Sequence, residues 1–172
     1  DFRLIISPLK RLVMQTIVTL FFVYIFELQL LSTRIIFLDT LLTNIYFSIF
    51  FTSFCLILLM NGSNFIDGLN SLVLVYYTII LIILFKLDLQ LNLNLNKEHW
   101  HFLIYFLFIL IIFNFCKKFY LGDSGTYLLS FFTGFIVIDT YNNSLSFSPF
   151  FVVLLLWYPC FENLFSIIRK FK

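Results

Sequence analysis

Charged residues cut this chain into long uncharged runs, spanning 12 to 26, 40 to 66, 68 to 85, 99 to 116, 124 to 138 and 140 to 161. A bilayer core takes about 20 mostly apolar residues per helix, with a usable range of about 17 to 25. Four of the runs meet that length and two are short. The pattern predicts six spanning segments, at about 12–31, 41–60, 69–85, 100–116, 126–140 and 149–168. Backbone groups in lipid must be satisfied within the segment, so these are expected to be helices; barrel strands would alternate rather than run unbroken. The fifth segment is the shortest, and is expected to be tilted, extended by "YNNSL", or only partly inserted.

Composition agrees with an all-α, polytopic membrane protein. Of 172 residues, 62% are hydrophobic, 26 are Phe and only 12% are charged, and the mean hydropathy is +1.03. Such a chain lies outside the soluble globular range. Six crossings place the chain start, the loops 61–68 and 117–125 and the chain end on one side. That side holds Arg3, Lys10, Arg11, Lys117, Lys118, Arg169, Lys170 and Lys172, against Arg34, Lys86 and Lys97 on the other. Eight basic residues against three make the first side cytoplasmic. No nucleic acid enters the expected partners; membrane lipid does.

In the outer loop 87–96, Leu87, Leu89, Leu91, Leu93 and Leu95 alternate with polar residues, which predicts a short half-buried strand. His99 and His101 flank Trp100, where interfacial anchoring is the favoured reading over metal binding. Cys55, Cys116 and Cys160 show no metal-ligand spacing and read as packing thiols. The opening "DFRLIISPLKR" has neither a cleavable-signal pattern nor a Met, so the chain is expected to be a fragment.

Four of the five glycines fall in two polar stretches, "NGSNFIDG" (Gly62, Gly68) and "LGDSG" (Gly122, Gly125). Glycine permits tight turns and close approach of backbone to a ligand. Each stretch carries one aspartate, Asp67 or Asp123, and precedes a predicted helix, whose free N–H groups suit phosphate oxygens. Carboxylates alone would repel a phosphorylated ligand. A divalent cation such as Mg²⁺, held by one or two carboxylates plus phosphate oxygens, reconciles acid with anion. Lys117 and Lys118 either offset further negative charge or simply mark a cytoplasmic helix end. Glu162, behind Pro159 in the last segment, is either functional or linked to Arg169, seven residues on and on roughly the same face.

These residues resemble the polyprenyl-phosphate N-acetylhexosamine-1-phosphate transferases, the family that starts peptidoglycan, O-antigen and teichoic-acid lipid intermediates. Its Asn, two residues, Asn, two residues, Asp-Gly pattern is met by Asn61, Asn64, Asp67 and Gly68. Its second signature looks like "YLGDSGT", Tyr120 to Thr126, with Asn114 matching an upstream Asn. The tail "YPCFENLFSIIRK" is similar to its late helix, and "DFRLIISPLKRLVMQ" to the region after an aspartate pair, with Asp1 as second member and Ser7, Arg11 and Gln15 in order.

The resemblance implies transfer of a sugar-1-phosphate from a UDP-N-acetylhexosamine to polyprenyl (undecaprenyl) phosphate, with release of UMP and with Mg²⁺ or Mn²⁺ as cofactor. It implies a multi-pass protein of the bacterial plasma membrane with a cytoplasmic site, in a family where homodimers occur. Carried over, Asp123 is the principal metal ligand and Asp67 helps organise metal and diphosphate. Asp1 neighbours the residue that deprotonates the lipid phosphate; Tyr120 packs on uracil; Asn61, Asn64, Asn70, Lys117 and Gly122 belong to the substrate pocket.

Three departures stand against this. The family continues Asp-Gly with another aspartate and glycine, where this chain has Asn70 and Ser71. The first aspartate of the early pair and the late His-rich loop are absent. On this reading the 172 residues form one transmembrane domain, the central part of a longer enzyme, and are inactive alone. A transporter or an inactive membrane fragment is the rival class. Transport would favour polar groups at mid-membrane on several helices, rather than carboxylates gathered at one face.

Overall fold

A computed structural model of the chain describes residues 7–68, 71–91, 97–143 and 148–170, without the side chains of 88–91 and 97–99. Among the described residues the regular elements are all helices: α1 Pro8–Ile25, α2 Ile36–Leu42, α3 Ile45–Ile66, α4 Leu72–Leu91, α5 Lys97–Phe115, α6 Gly122–Asn143 and α7 Pro149–Lys170. Three of them, α1, α3 and α7, are long and apolar enough to cross a membrane. Shorter apolar stretches, Leu72–Leu87 and Trp100–Phe115, lie within α4 and α5. The chain is an all-helical membrane protein, and by contacts it divides into two compact units, Asp1–Ile57 and Leu58–Lys172.

In the first unit α1 begins on a sequence-encoded cap. Ser7 Oγ accepts from the Lys10 N–H (3.4 Å) and Pro8 occupies the first turn, where its missing N–H costs nothing. The helix ends earlier than the predicted 12–31. Glu27 takes φ 50° and the Leu28 N–H returns to the Val23 carbonyl (3.1 Å), closing the end. The extended chain that follows needs partners for its backbone. Ser48 and Thr52, one turn apart on α3, supply them: the Leu30 N–H donates to Thr52 Oγ1 (3.0 Å) and Ser48 Oγ donates to the Leu30 carbonyl (2.9 Å). Asp39 on α2 accepts from the Thr33 N–H (2.6 Å) and from the hydroxyls of Thr33 and Ser32. These donors, the Thr33 amide first, hold its carboxyl below the usual range.

In the second unit α4 packs against α5 and α6, and α6 against α7. Leu59, Ile66, Val73, Leu74, Tyr77, Leu81, Leu107 and Val137 form its buried centre. α6 differs in kind from its neighbours. Beside Phe131, Val137 and Ile138, its buried residues are Thr126, Ser130, Thr133, Gly134 and Thr140, and the hydroxyls of Ser130, Thr133 and Thr140 each donate to a carbonyl one turn back (2.7 to 2.9 Å). Small side chains with internally satisfied hydroxyls let helices approach closely without orphaned polar groups. α6 also extends past the predicted 126–140 at both ends, reaching Asn143.

Two expectations are corrected here. The strand predicted for 87–96 is not formed over Leu87–Leu91, which continue α4; residues 92–96 lie outside the described residues. A lone strand would leave its backbone unpaired, whereas the helix satisfies each group locally, and that outweighs the alternation of leucines. Trp100, expected as an interfacial anchor, is instead 6% exposed and belongs to the core cluster, its ring 6.2 Å from that of Phe85.

The predicted loop 61–68 is largely helix. α3 runs through Asn61, Gly62, Ser63 and Asn64 to Ile66. Gly62 is therefore a packing residue, not a turn former: a Cβ there would lie 2.6 Å from the Pro159 carbonyl carbon on α7. Asn163, one turn beyond Pro159, donates from Nδ2 to the Leu58 carbonyl (3.4 Å). Proline lacks the N–H that would bond the carbonyl four residues back. That carbonyl, of Leu155, receives the Tyr76 hydroxyl from α4 instead (2.5 Å). Ser63 donates to the Leu59 carbonyl (2.6 Å) and is hydrogen-bonded to Tyr77 of α4, so α3, α4 and α7 are joined around Pro159.

Candidate active site

Asp67 follows the last turn of α3, its N–H donating to the Ser63 carbonyl (3.2 Å). A carboxylate there meets the negative end of the helix dipole. Asp123 lies in the first turn of α6, where the dipole favours negative charge. The two aspartates thus occupy opposite kinds of helix end, and the Gly-flanked turns are not alike.

Thr126 brings the two stretches together. Its hydroxyl donates to Asp67 Oδ2 (2.8 Å), while a second contact runs from the same oxygen to the Gly122 carbonyl (3.0 Å). Burial pushes the Asp67 carboxyl above the usual range; the Thr126 hydroxyl pulls it back, and the charge of Asp123 raises it again. Asp67 therefore feels Asp123 as a like charge. A partly desolvated carboxylate with a second one near enough to raise it is the kind of oxygen donor a hard divalent cation takes. Among the described residues, no group of three His, Cys, Asp or Glu side chains is gathered as a metal site.

Gly122 opens α6 at φ +64°, a left-handed conformation that strains any residue with a Cβ. Gly68 has open space around it and no positive φ. Among the described residues that follow Asp67 before α4, Ser71 takes a positive φ, 66°. Lys117 also takes a positive φ, 58°, and closes α5: its N–H donates to the Asn114 carbonyl and that of Lys118 to the Phe113 carbonyl (3.0 and 2.9 Å). Both lysines are exposed at a helix C-terminus, where cations are favoured. Tyr120, 67% exposed, stands just before the glycine turn. Asn61 and Asn64 lie on the last turns of α3, with Asn64 Oδ1 buried and without a hydrogen-bond partner among the described residues. Asp1 and Asn70 lie outside the described residues. Glu162 meets Arg169 at 3.4 Å, the structural alternative, in a pair too exposed to contribute much stability.

Three side chains at this site carried little weight in the sequence reading. Thr126 was only the hydroxyl residue ending a motif, Asn114 only an upstream match, and Ser71 only a departure. A signal was present for Asn114, a lone amide in the apolar run 102–115, since a polar group so placed needs a partner.

Fold and site together define a helical membrane protein in which a carboxylate ending one helix is bonded to the helix that carries a second. The family model described as glycosyl transferase family 4 matches residues 1–141, and the chain belongs to that family. Comparison with curated proteins and with solved structures gave no match. Membership makes the chain a membrane transferase of the class that passes a phospho-sugar to a lipid carrier.

Proposed function

We propose that this protein transfers N-acetylhexosamine-1-phosphate from a UDP-sugar to polyprenyl phosphate, releasing UMP, as the first membrane step of cell-envelope polysaccharide synthesis in a bacterial plasma membrane. The observation that carries the reading is the Thr126 to Asp67 hydrogen bond, which joins the Asp-Gly motif after α3 to the Gly-Asp motif opening α6. The site would face the cytoplasm, where UDP-sugars are made and where the basic residues concentrate.

Asp123 and Asp67 would hold Mg²⁺ or Mn²⁺; bound there, the cation neutralises the diphosphate and the charge growing on the UMP leaving group. The N–H groups opening α6 and the turn at Gly122 offer donors for phosphate oxygens. Tyr120, exposed beside that turn, would stack on a base. Asn64 Oδ1, buried and unpartnered, is suited to accept a hydrogen bond from a uracil imide or a sugar amide. Catalysis on this reading is positioning plus charge neutralisation, which suffice for phosphoryl transfer.

The test is incorporation of label from UDP-N-acetyl-[³H]hexosamine into lipid extract, using membranes that carry the protein, polyprenyl phosphate and Mg²⁺. Labelled lipid with equimolar UMP supports transfer. Uptake of intact UDP-sugar into sealed vesicles without labelled lipid would support the transporter reading instead.

A further inference from the structure

A second tie joins the two motifs. Ser71 lies four residues beyond Asp67, and Phe119 four residues before Asp123. Asn114, in the last turn of α5, stands between them. Ser71 Oγ donates to Asn114 Oδ1 (2.8 Å), and Asn114 Nδ2 donates to the Phe119 carbonyl (2.9 Å). Ser71 and Asn114 are each 5% exposed, so water cannot replace either bond cheaply. One carboxamide thus uses its acceptor on one motif and a donor on the other. Ser71 also holds φ 66°, a conformation glycine would take without strain. A serine there carries a backbone penalty that its buried hydrogen bond offsets.

We propose that Ser71 and Asn114 are positioning residues of the transferase site: a buried clamp that sets the spacing between the Asp67 turn and the Tyr120–Asp123 loop. The inference rests on the transferase reading above for its catalytic consequence, not for the clamp itself. Neither residue is placed on the reacting atoms. The clamp acts through the backbone, because each end stops four residues short of a carboxylate. With Thr126 bonded to Asp67, the two motifs are held at two points, which fixes an orientation that one bond would leave free to pivot.

Ser71→Gly and Ser71→Ala both delete the hydroxyl, but only glycine relieves the backbone. If Ser71 were merely structural, activity would follow stability and Ser71→Gly would work like the native protein. The clamp predicts that both variants lose kcat by about tenfold, since small displacements of reacting groups are costly, while KM for the UDP-sugar changes less than about threefold. The glycine variant should nonetheless melt at or above the alanine variant. Amide hydrogen exchange across 117–123 is the independent readout and should quicken about tenfold in both variants and in Asn114→Ala. Native kcat with native exchange in Ser71→Gly would overturn the clamp. Should the native protein show no transfer at all, exchange still decides: faster exchange upholds the clamp while the transferase reading fails, and unchanged exchange overturns the clamp.

Discussion

Replacing Gly62 with alanine sets two opposed effects against each other. Within a helix, alanine is favoured over glycine by about 1 kcal/mol, so a glycine seen only as part of α3 is a defect that alanine repairs. In the fold the new Cβ would lie 2.6 Å from the carbonyl carbon and 3.2 Å from the Cα of Pro159. Both are backbone atoms of a packed helix, so no rotamer change can make room. The nearest atom is the Pro159 carbonyl oxygen, so α7 must retreat by more than about 1 Å to restore ordinary contact, and a gap of that size forfeits about half of each neighbouring dispersion contact. Over-packing of this kind costs about 1–3 kcal/mol. The retreat also lengthens the 3.4 Å bond from Asn163 to the Leu58 carbonyl. Set against the helix-propensity gain, that leaves a net expected loss of about 0–2 kcal/mol, to which the weakened Asn163 bond adds. Gly68, with nothing within 4 Å and no positive φ, is the internal control; alanine there should be neutral or stabilising by about 0.4–1 kcal/mol through the unfolded chain. Denaturant unfolding in detergent, followed by tryptophan fluorescence, compares the two. Equal stability of the two variants, or a more stable Gly62→Ala, would refute the close packing of α3 on α7.

Tyr76→Phe removes the hydroxyl that, among the described residues, donates to the Leu155 carbonyl left by Pro159 without its helical partner; an expected loss of about 1–3 kcal/mol in the same unfolding assay checks it. Asp67→Asn should separate stability from function. The folded pKa of Asp67 is raised, so ionisation opposes folding: the penalty is absent below the unfolded carboxylate value of about 4 and grows as pH rises through the folded value. In metal-free buffer the asparagine variant should therefore gain stability over the native chain as pH rises from about 4 to about 7.5, while losing transfer; parallel melting curves across that range would contradict it. Gly122→Ala should cost about 1–2 kcal/mol from its φ of +64°, checked by unfolding against the neutral Gly68→Ala.

The helices were legible because apolar runs of membrane length leave the backbone little choice. Their ends were not, since charge marks where solvent begins while hydrogen bonds decide where a helix stops. Thus Glu27 and Lys117, charged residues at positive φ, close α1 and α5 where glycine would be the sequence signal. Gly62 is ambiguous in sequence for a related reason: glycine marks turns and close helix contacts alike, and only the position of Pro159 distinguishes them. The leucines of 87–91 alternate, yet a strand without a neighbour cannot compete with a helix already under way. At the site, Asp67 and Asp123 could be picked out from type and spacing. The bonds from Thr126 and through Asn114 could not, because they join residues 59 and 43 positions apart.

The central claim is that Asp67 and Asp123 act together in metal-dependent sugar-phosphate transfer. UMP release from UDP-N-acetylhexosamine and polyprenyl phosphate, measured with Mg²⁺ in membranes carrying the native protein or Asp123→Asn, tests it most directly. Release by the native protein should depend on the metal and fall at least about a hundredfold in the variant, as for removal of a group that stabilises transition-state charge. Release that is undiminished in Asp123→Asn, or indifferent to Mg²⁺, would contradict it.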